Sequence, residues 1–260
     1  TGISAGGAIT NSSATAADYS GLVTIGATST IATNAGDLNL TNTGTITGAF
    51  ALTLSGSGNG SISSIIGTGA GSIVKTGAGS WTLSGASTYT GVTTISVGTL
   101  KIGASNAGIS NSSAVTVTSI LDLNGFNATI GSLAGAGTVT SSQAGSVSLT
   151  SGGNNSSTTF SGVIENGSGT LNLIKAGTLI FTLSGLSTYT GLTTINTGTI
   201  ALGAAGDGTN SPLGTIAGGT TVNTGAVLNV NGITLSTSEP LALNGTGIAA
   251  AGALINGSAT

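Results

Sequence analysis

The chain has 260 residues, three of them basic and six acidic, with a formal net charge of -3. Arg, His, Cys and Met are absent, while Gly, Thr, Ser and Asn together make up more than half of the chain. Charged residues make up 3%, against about 25% in an ordinary soluble domain, which leaves an extended structural or surface protein as the leading class.

Several chemistries are excluded at once. Phosphate neutralisation needs clustered Lys or Arg, and Lys75, Lys101 and Lys175 stand far apart in sequence. No nucleic-acid partner is expected, and adsorption to an anionic membrane fails for the same reason. Without His or Cys there is no serine–histidine, cysteine–histidine or zinc chemistry. Iron–sulfur and haem ligation and disulfides are excluded too. We therefore expect no cofactor, no metal and no catalytic residue. The carboxylates Asp18, Asp37, Asp122, Asp207, Glu165 and Glu239 are scattered, which suits isolated turn or solvated groups. The longest apolar run, near 248–255, is interrupted by Gly252 and falls far short of the roughly 20 residues of a membrane helix. The opening TGISAG carries no basic, hydrophobic leader, so the chain reads as a mature or excised segment.

Along the chain, short period-two runs recur: LNLT at 38–41, ALTL at 51–54, AVTVT at 114–118, SVSL at 146–149, TLNL at 170–173 and AVLNV at 226–230. Each is bounded by Gly, Asn or Ser. They predict short strands with one buried and one wet face, separated by turns. Sustained helical spacing is missing, and Gly and β-branched residues recur throughout.

Repetition organises these strands. Residues 75–104 and 175–204 align without a gap, with 18 identities in 30 positions. Trp81 exchanges with Phe181, Val92 with Leu192, and Leu100 with Ile200. Repeated short strands imply a solenoid, because no single coil buries its own inner face. The pattern predicts an all-β parallel β-helix running as one unit over 1–260. At roughly 20 residues per coil it has about 13 coils, and at about 4.8 Å between strands a length of around 60 Å.

The phrase KTGAGSWTLSGASTYTGVTTI at 75–95 with Gly98-Thr99-Leu100, and its counterpart at 175–204, resemble the passenger-associated repeat of bacterial autotransporters. Flanking phrases fit as well: LDLNG at 121–125, IGSLAGAG at 130–137, FSGVI at 160–164 and VLNVNG at 227–232. The resemblance implies a right-handed β-helix, secreted to the surface of a Gram-negative cell. Passengers of that family are often adhesins, aggregation factors or fibres, and some carry enzyme domains; the repeats and the nearly uncharged composition point here to a non-enzymatic adhesive or structural role, with self-association into fibres and contacts to cell surfaces or carbohydrate.

Particular residues carry competing readings. Tyr89 and Tyr189, each in Ser-Thr-Tyr-Thr-Gly, are candidates for surface or assembly contacts; the alternative is packing at a coil corner with the hydroxyl bonded. Trp81 and Phe181 read as core filling. Lys75 and Lys175 read as marks of exposed coil edges. Thr82, Thr88, Thr90, Thr93 and Thr94, with their counterparts, could form an ice-binding face or serve β propensity and hydroxyl ladders. A β-helix enzyme acting on polysaccharide would need clustered carboxylates with basic residues or calcium, a set this composition hardly offers. With few ionisable groups, stability is expected to depend little on pH.

Overall fold

A computed structural model describes residues 7–257. The alternating runs form strands as their period requires. In Leu52–Gly56, Leu52 and Leu54 are buried while Thr53 and Ser55 are half-buried on the outer side. Gly and Asn end each run, so each strand pairs in parallel with the run one coil later. The architecture is a three-faced β-solenoid.

The first face begins with seven parallel strands, from Ile9–Asn11 through Ile73–Lys75 and Thr93–Ile95 to Ser132–Ala134. A bridge from Gly135 to Phe160 joins it to five more, from Thr158–Phe160 to Leu254–Ile255. The second face has eight strands, from Ala17–Tyr19 to Val163–Ile164. Beyond them it is carried on by Thr188 N–H to Ile164 O and Thr215 N–H to Tyr189 O. The third face starts with Thr45–Ile46 beside Ile65–Ile66 and ends in six strands, from Ala128–Ile130 to Leu241–Leu243. Among the described residues the antiparallel hairpin is Asn210–Ser211 with Gly214–Thr215.

These strands make about 11 turns, fewer than a constant coil length leads one to expect. Coil length varies instead. Val115 pairs with Leu133 after a short step along the chain, whereas the step from Ala201 to its partner Asn229 is about half as long again. Corner loops take residues out of the ladder without adding a coil. At about 4.8 Å per coil the rod is roughly 50 Å long.

The core is a thin column. On the first face the inward positions Ile31, Leu54, Lys75, Ile95 and Val117 follow one another in register, all buried. Each buried Ile or Leu contributes about 1.5–3 kcal/mol, and only stacking keeps it buried.

The two repeat copies occupy different faces. In the first, Ile73–Lys75 lies on the first face and Ser80–Leu83 on the second. In the second, Thr170–Lys175 lies on the third face and Ile180–Leu183 on the first. The offset between the copies thus spans four coils and two further faces. The same motif is read into whichever face the coil lengths deliver it to.

Candidate functional site: buried ties and the outer surface

The aromatic pair of the repeat fills the interior. Trp81 stands on the second face between Gly60 and Leu100 and is fully buried. A side chain at Gly60 would begin 2.7 Å from the indole, so glycine there makes room for the ring. The indole N–H donates to Ser55 O at 3.1 Å, meeting the requirement that a buried indole find an acceptor. Phe181 lies on the first face between Thr158 and Ile200, also buried.

Tyr89 and Tyr189 are buried at 0% exposure, so neither ring is available for surface or assembly contact. Each hydroxyl shares a 2.6 Å hydrogen bond with the hydroxyl of Thr93 or Thr193. In the first copy the chain continues: Thr93 Oγ1 lies 2.9 Å from Ser113 Oγ, which donates to Gly91 O at 2.7 Å. Burial pushes the Tyr89 phenol up to about 12, against the pull of Thr93 and Ser113, and pushes Tyr189 upward as well. The motif needs Tyr because its ring fills a corner and its hydroxyl ties that corner to the following strand. Thr93 and Thr193 are engaged in this bond and are buried, so they leave any outward Thr array. On the outer side of the first face the register runs Thr30, Thr53, Val74, Thr94, Thr116, Ala134. The hydroxyl row is broken at Val74 and again at Ala134.

Lys75 and Lys175 do not mark exposed edges. Their exposures are 0% and 3%, because each occupies an inward strand position that elsewhere holds Ile, Leu or Val. The stem lies in the column and the ammonium emerges beneath the turn. Lys75 Nζ donates to Thr76 O at 2.9 Å, Gly77 O at 2.7 Å and, one coil on, Val97 O at 3.0 Å. Lys175 repeats the set with Ala176 O, Gly177 O and Thr197 O. Gly98 completes the arrangement. Its φ is +71°, and a Cβ there would meet Gly77 O at 2.4 Å and Lys75 Nζ at 2.8 Å. The signature Lys-x-Gly…Gly-Thr is therefore one device, an ammonium bound by the carbonyls of two successive turns. Burial without a neutralising carboxylate lowers both lysines to about 8. The sequence clue was that lysine sat where strand alternation calls for an inward side chain.

The third lysine is used differently. Lys101 is paired in register with Asp122, their charges 3.3 Å apart. Asp122 Oδ1 also accepts from Asn124 N–H at 2.8 Å and from Ser142 N–H at 2.9 Å. Burial raises the Asp122 carboxyl, but the Ser142 and Asn124 hydrogen bonds and the Lys101 charge outweigh it and hold the group below its usual value. The second copy has Ala201 opposite Asn229, and Asn229 Oδ1 accepts from Asn231 N–H at 2.8 Å and Gly257 N–H at 3.1 Å. Where the lysine is lost the acid is an amide, and the turn is the same. Lys101→Ala is expected to lower stability by about 1 kcal/mol, and adding Asp122→Asn to restore most of it, measured by chemical unfolding. A double variant no better than Lys101→Ala alone would refute this charge matching.

Among the described residues Glu239 is the carboxylate with a buried, unmet atom. Its Oε1 accepts from Thr220 Oγ1 at 3.0 Å, while Oε2 is buried without a hydrogen-bond partner among the described residues. It borders a 180 Å³ apolar cavity with Leu202, Leu213 and Leu228. Burial pushes it up to about 7, against the hydrogen bond from Thr220. Among the described residues no three carboxylates gather as a metal site, and no helix is long and apolar enough to cross a membrane.

The outer surface of the described residues is mostly neutral and polar, with shallow depressions in it. A 470 Å³ depression on the third face lies beside the first repeat copy, bordered by Ala86, Thr88, Asn106, Asn111 and Thr129.

Comparison with known proteins agrees with this architecture. Residues 73–102 and 173–202 each match the passenger-associated transport repeat. Over 126 residues, 46% of the chain, it is 38% identical to the Adhesin BmaC autotransporter of Brucella suis biovar 1 (strain 1330). That stretch spans 4% of the length of the Brucella protein. No solved structure matches the chain. The chain is thus a β-solenoid that carries the autotransporter passenger repeat twice, and the likeness to an autotransporter adhesin covers nearly half of it.

Proposed function

We propose that this chain is a stretch of the extracellular rod of a bacterial surface adhesin. It is displayed on or shed from the outer surface, runs as one continuous solenoid and performs no chemistry of its own. The observation that carries this reading is how the repeat uses its residues. Lys75 and Lys175 reach a carbonyl one coil on, and Tyr89 and Tyr189 tie a corner to the following strand, so all four are engaged within the rod. Two repeat copies and the likeness to an adhesin support the same role.

The test is adhesion itself. Microspheres coated with the purified chain are expected to be retained on cultured cells several-fold above spheres coated with an unrelated neutral β-solenoid. Equal retention would count against the adhesive role.

The rod also self-associates in this reading. With so few charges, copies approach with little mutual repulsion, and Leu179, Leu186 and Leu192 of the second copy and Ile216 beyond it are exposed apolar side chains. Sedimentation is expected to show concentration-dependent assembly. Dispersed monomers at high concentration would remove the fibre from the proposal while leaving adhesion to its own test.

A further inference from the structure

The geometry points to a binding site for a neutral oligosaccharide in the groove beside the first repeat copy. This rests on the adhesive reading above and gives it a ligand class and a place. The groove's 470 Å³ falls in the range of about 300–1,000 Å³ common for small-ligand sites. No ionisable side chain borders it, so a charged ligand would lose its hydration without gaining a partner. A sugar asks for something else: donors and acceptors for its hydroxyls, and an apolar patch for its C–H face.

The groove supplies both. Thr129 Oγ1 donates to Asn106 Oδ1 at 2.9 Å, which fixes that amide and leaves its NH₂ group without an acceptor among the described residues. Ser112 Oγ donates to Asn111 Oδ1 at 3.3 Å and leaves a second NH₂ group open. The exposed Thr88 hydroxyl, in the otherwise fully engaged Ser-Thr-Tyr-Thr-Gly turn, is also free to donate or accept. Ala86 and the buried Ile109 give the apolar patch. Asn106 is held at φ 52° on its loop, a conformation that Asn tolerates better than most residues.

The second repeat copy shows what closes such a groove. The position of Ala86 is there Leu186, 40% exposed. The loop corresponding to 105–112 is the hairpin Asn210–Ser211 with Gly214–Thr215, bridged to Ser187. The turn is shared and its surroundings are exchanged, so the sugar site belongs to the first copy alone.

The experiment titrates lactose, maltotriose and cellotriose into the ¹⁵N-labelled chain. At least one is expected to shift the side-chain amide signals of Asn106 and Asn111. Ala86→Leu, which installs the second copy's residue and should leave unfolding unchanged, is expected to weaken the response about tenfold, as is Asn106→Ala with Asn111→Ala. No shift with any of the three, shifts centred elsewhere, or undiminished binding by Ala86→Leu would overturn the site. Ala86→Leu microspheres separate the two proposals. If they adhere like the unaltered chain while no sugar shifts the groove, the groove fails and adhesion stands. If sugars bind but unaltered spheres do not adhere, the reverse holds.

Discussion

Lys75→Met is expected to lower stability by about 2–3 kcal/mol at neutral pH, with the same result for Lys175→Met. Met keeps the apolar stem in the column and removes only the ammonium. The three carbonyls it served, at 2.7–3.0 Å in the first copy, then lose a charged donor in a place with little water. Two of them belong to one turn and the third to the next coil, so coil-to-coil registry weakens there first. Hydrogen exchange should accelerate around 76–79 and 97–99 before it does elsewhere. Lys75→Ala should cost more, because the stem leaves the column as well. A Lys75→Met chain as stable and as protected as the unaltered one would show that the ammonium is incidental.

The pH dependence of unfolding should show a minimum of stability near pH 7–8, flanked by rises on both sides. On the acid side the cause is Glu239. Its folded value of about 7 lies above its ordinary 4.5, so the stability it contributes is full below about 4.5 and is lost as pH rises through 7. Because the group is partly open to solvent, the change expected is about 1–2 kcal/mol rather than the full shift. On the alkaline side the cause is the lysine pair. Their folded value of about 8 lies below the ordinary 10.5. Either form donates to the turn carbonyls, but the charged one also bears the cost of burial, so the lysines' contribution is smallest below about 8 and grows to its full value above about 10.5. Denaturant titrations from pH 4.5 to 10.5 test both arms. Glu239→Gln should flatten the acid arm, and Lys75→Met with Lys175→Met the alkaline one. A flat profile in the unaltered chain would show that these groups are not perturbed by the fold.

That profile departs from the pH indifference suggested by scarce charge. Composition counts ionisable groups but says nothing about where they sit. Four of the nine charged residues, Lys75, Asp122, Lys175 and Glu239, are placed against the interior, where each matters more than a solvated one.

The architecture was legible because a solenoid writes itself locally. Period-two runs, turn residues and an ungapped repeat are all short-range signals, and they suffice for parallel stacking. The aromatic pair was legible too, since the exchange of Trp81 for Phe181 marks a volume to be filled. Coil number was less so: the stretches 203–219 and 229–253 hold more residues than a coil needs, and the surplus goes into corner loops that resemble strand-and-turn sequence. The lysines were misread because lysine is rarely buried unless paired, and here the partners are backbone carbonyls, which no side-chain pattern reveals. The open amides of Asn106 and Asn111 lie beyond sequence for the same reason, in a chain where Asn is everywhere.

The offset between the two repeat copies bears on how such a rod meets its surroundings. Copies a whole number of coils apart would line up as a stripe, and two rods could zip along it side by side. Four coils and two faces instead set the second copy on another side of the rod. Motifs placed this way follow the thread of a screw. A flat partner reaches one copy per approach, a straight bundle cannot engage both through the same contact, and a rod anchored at one end offers its repeats in more than one direction.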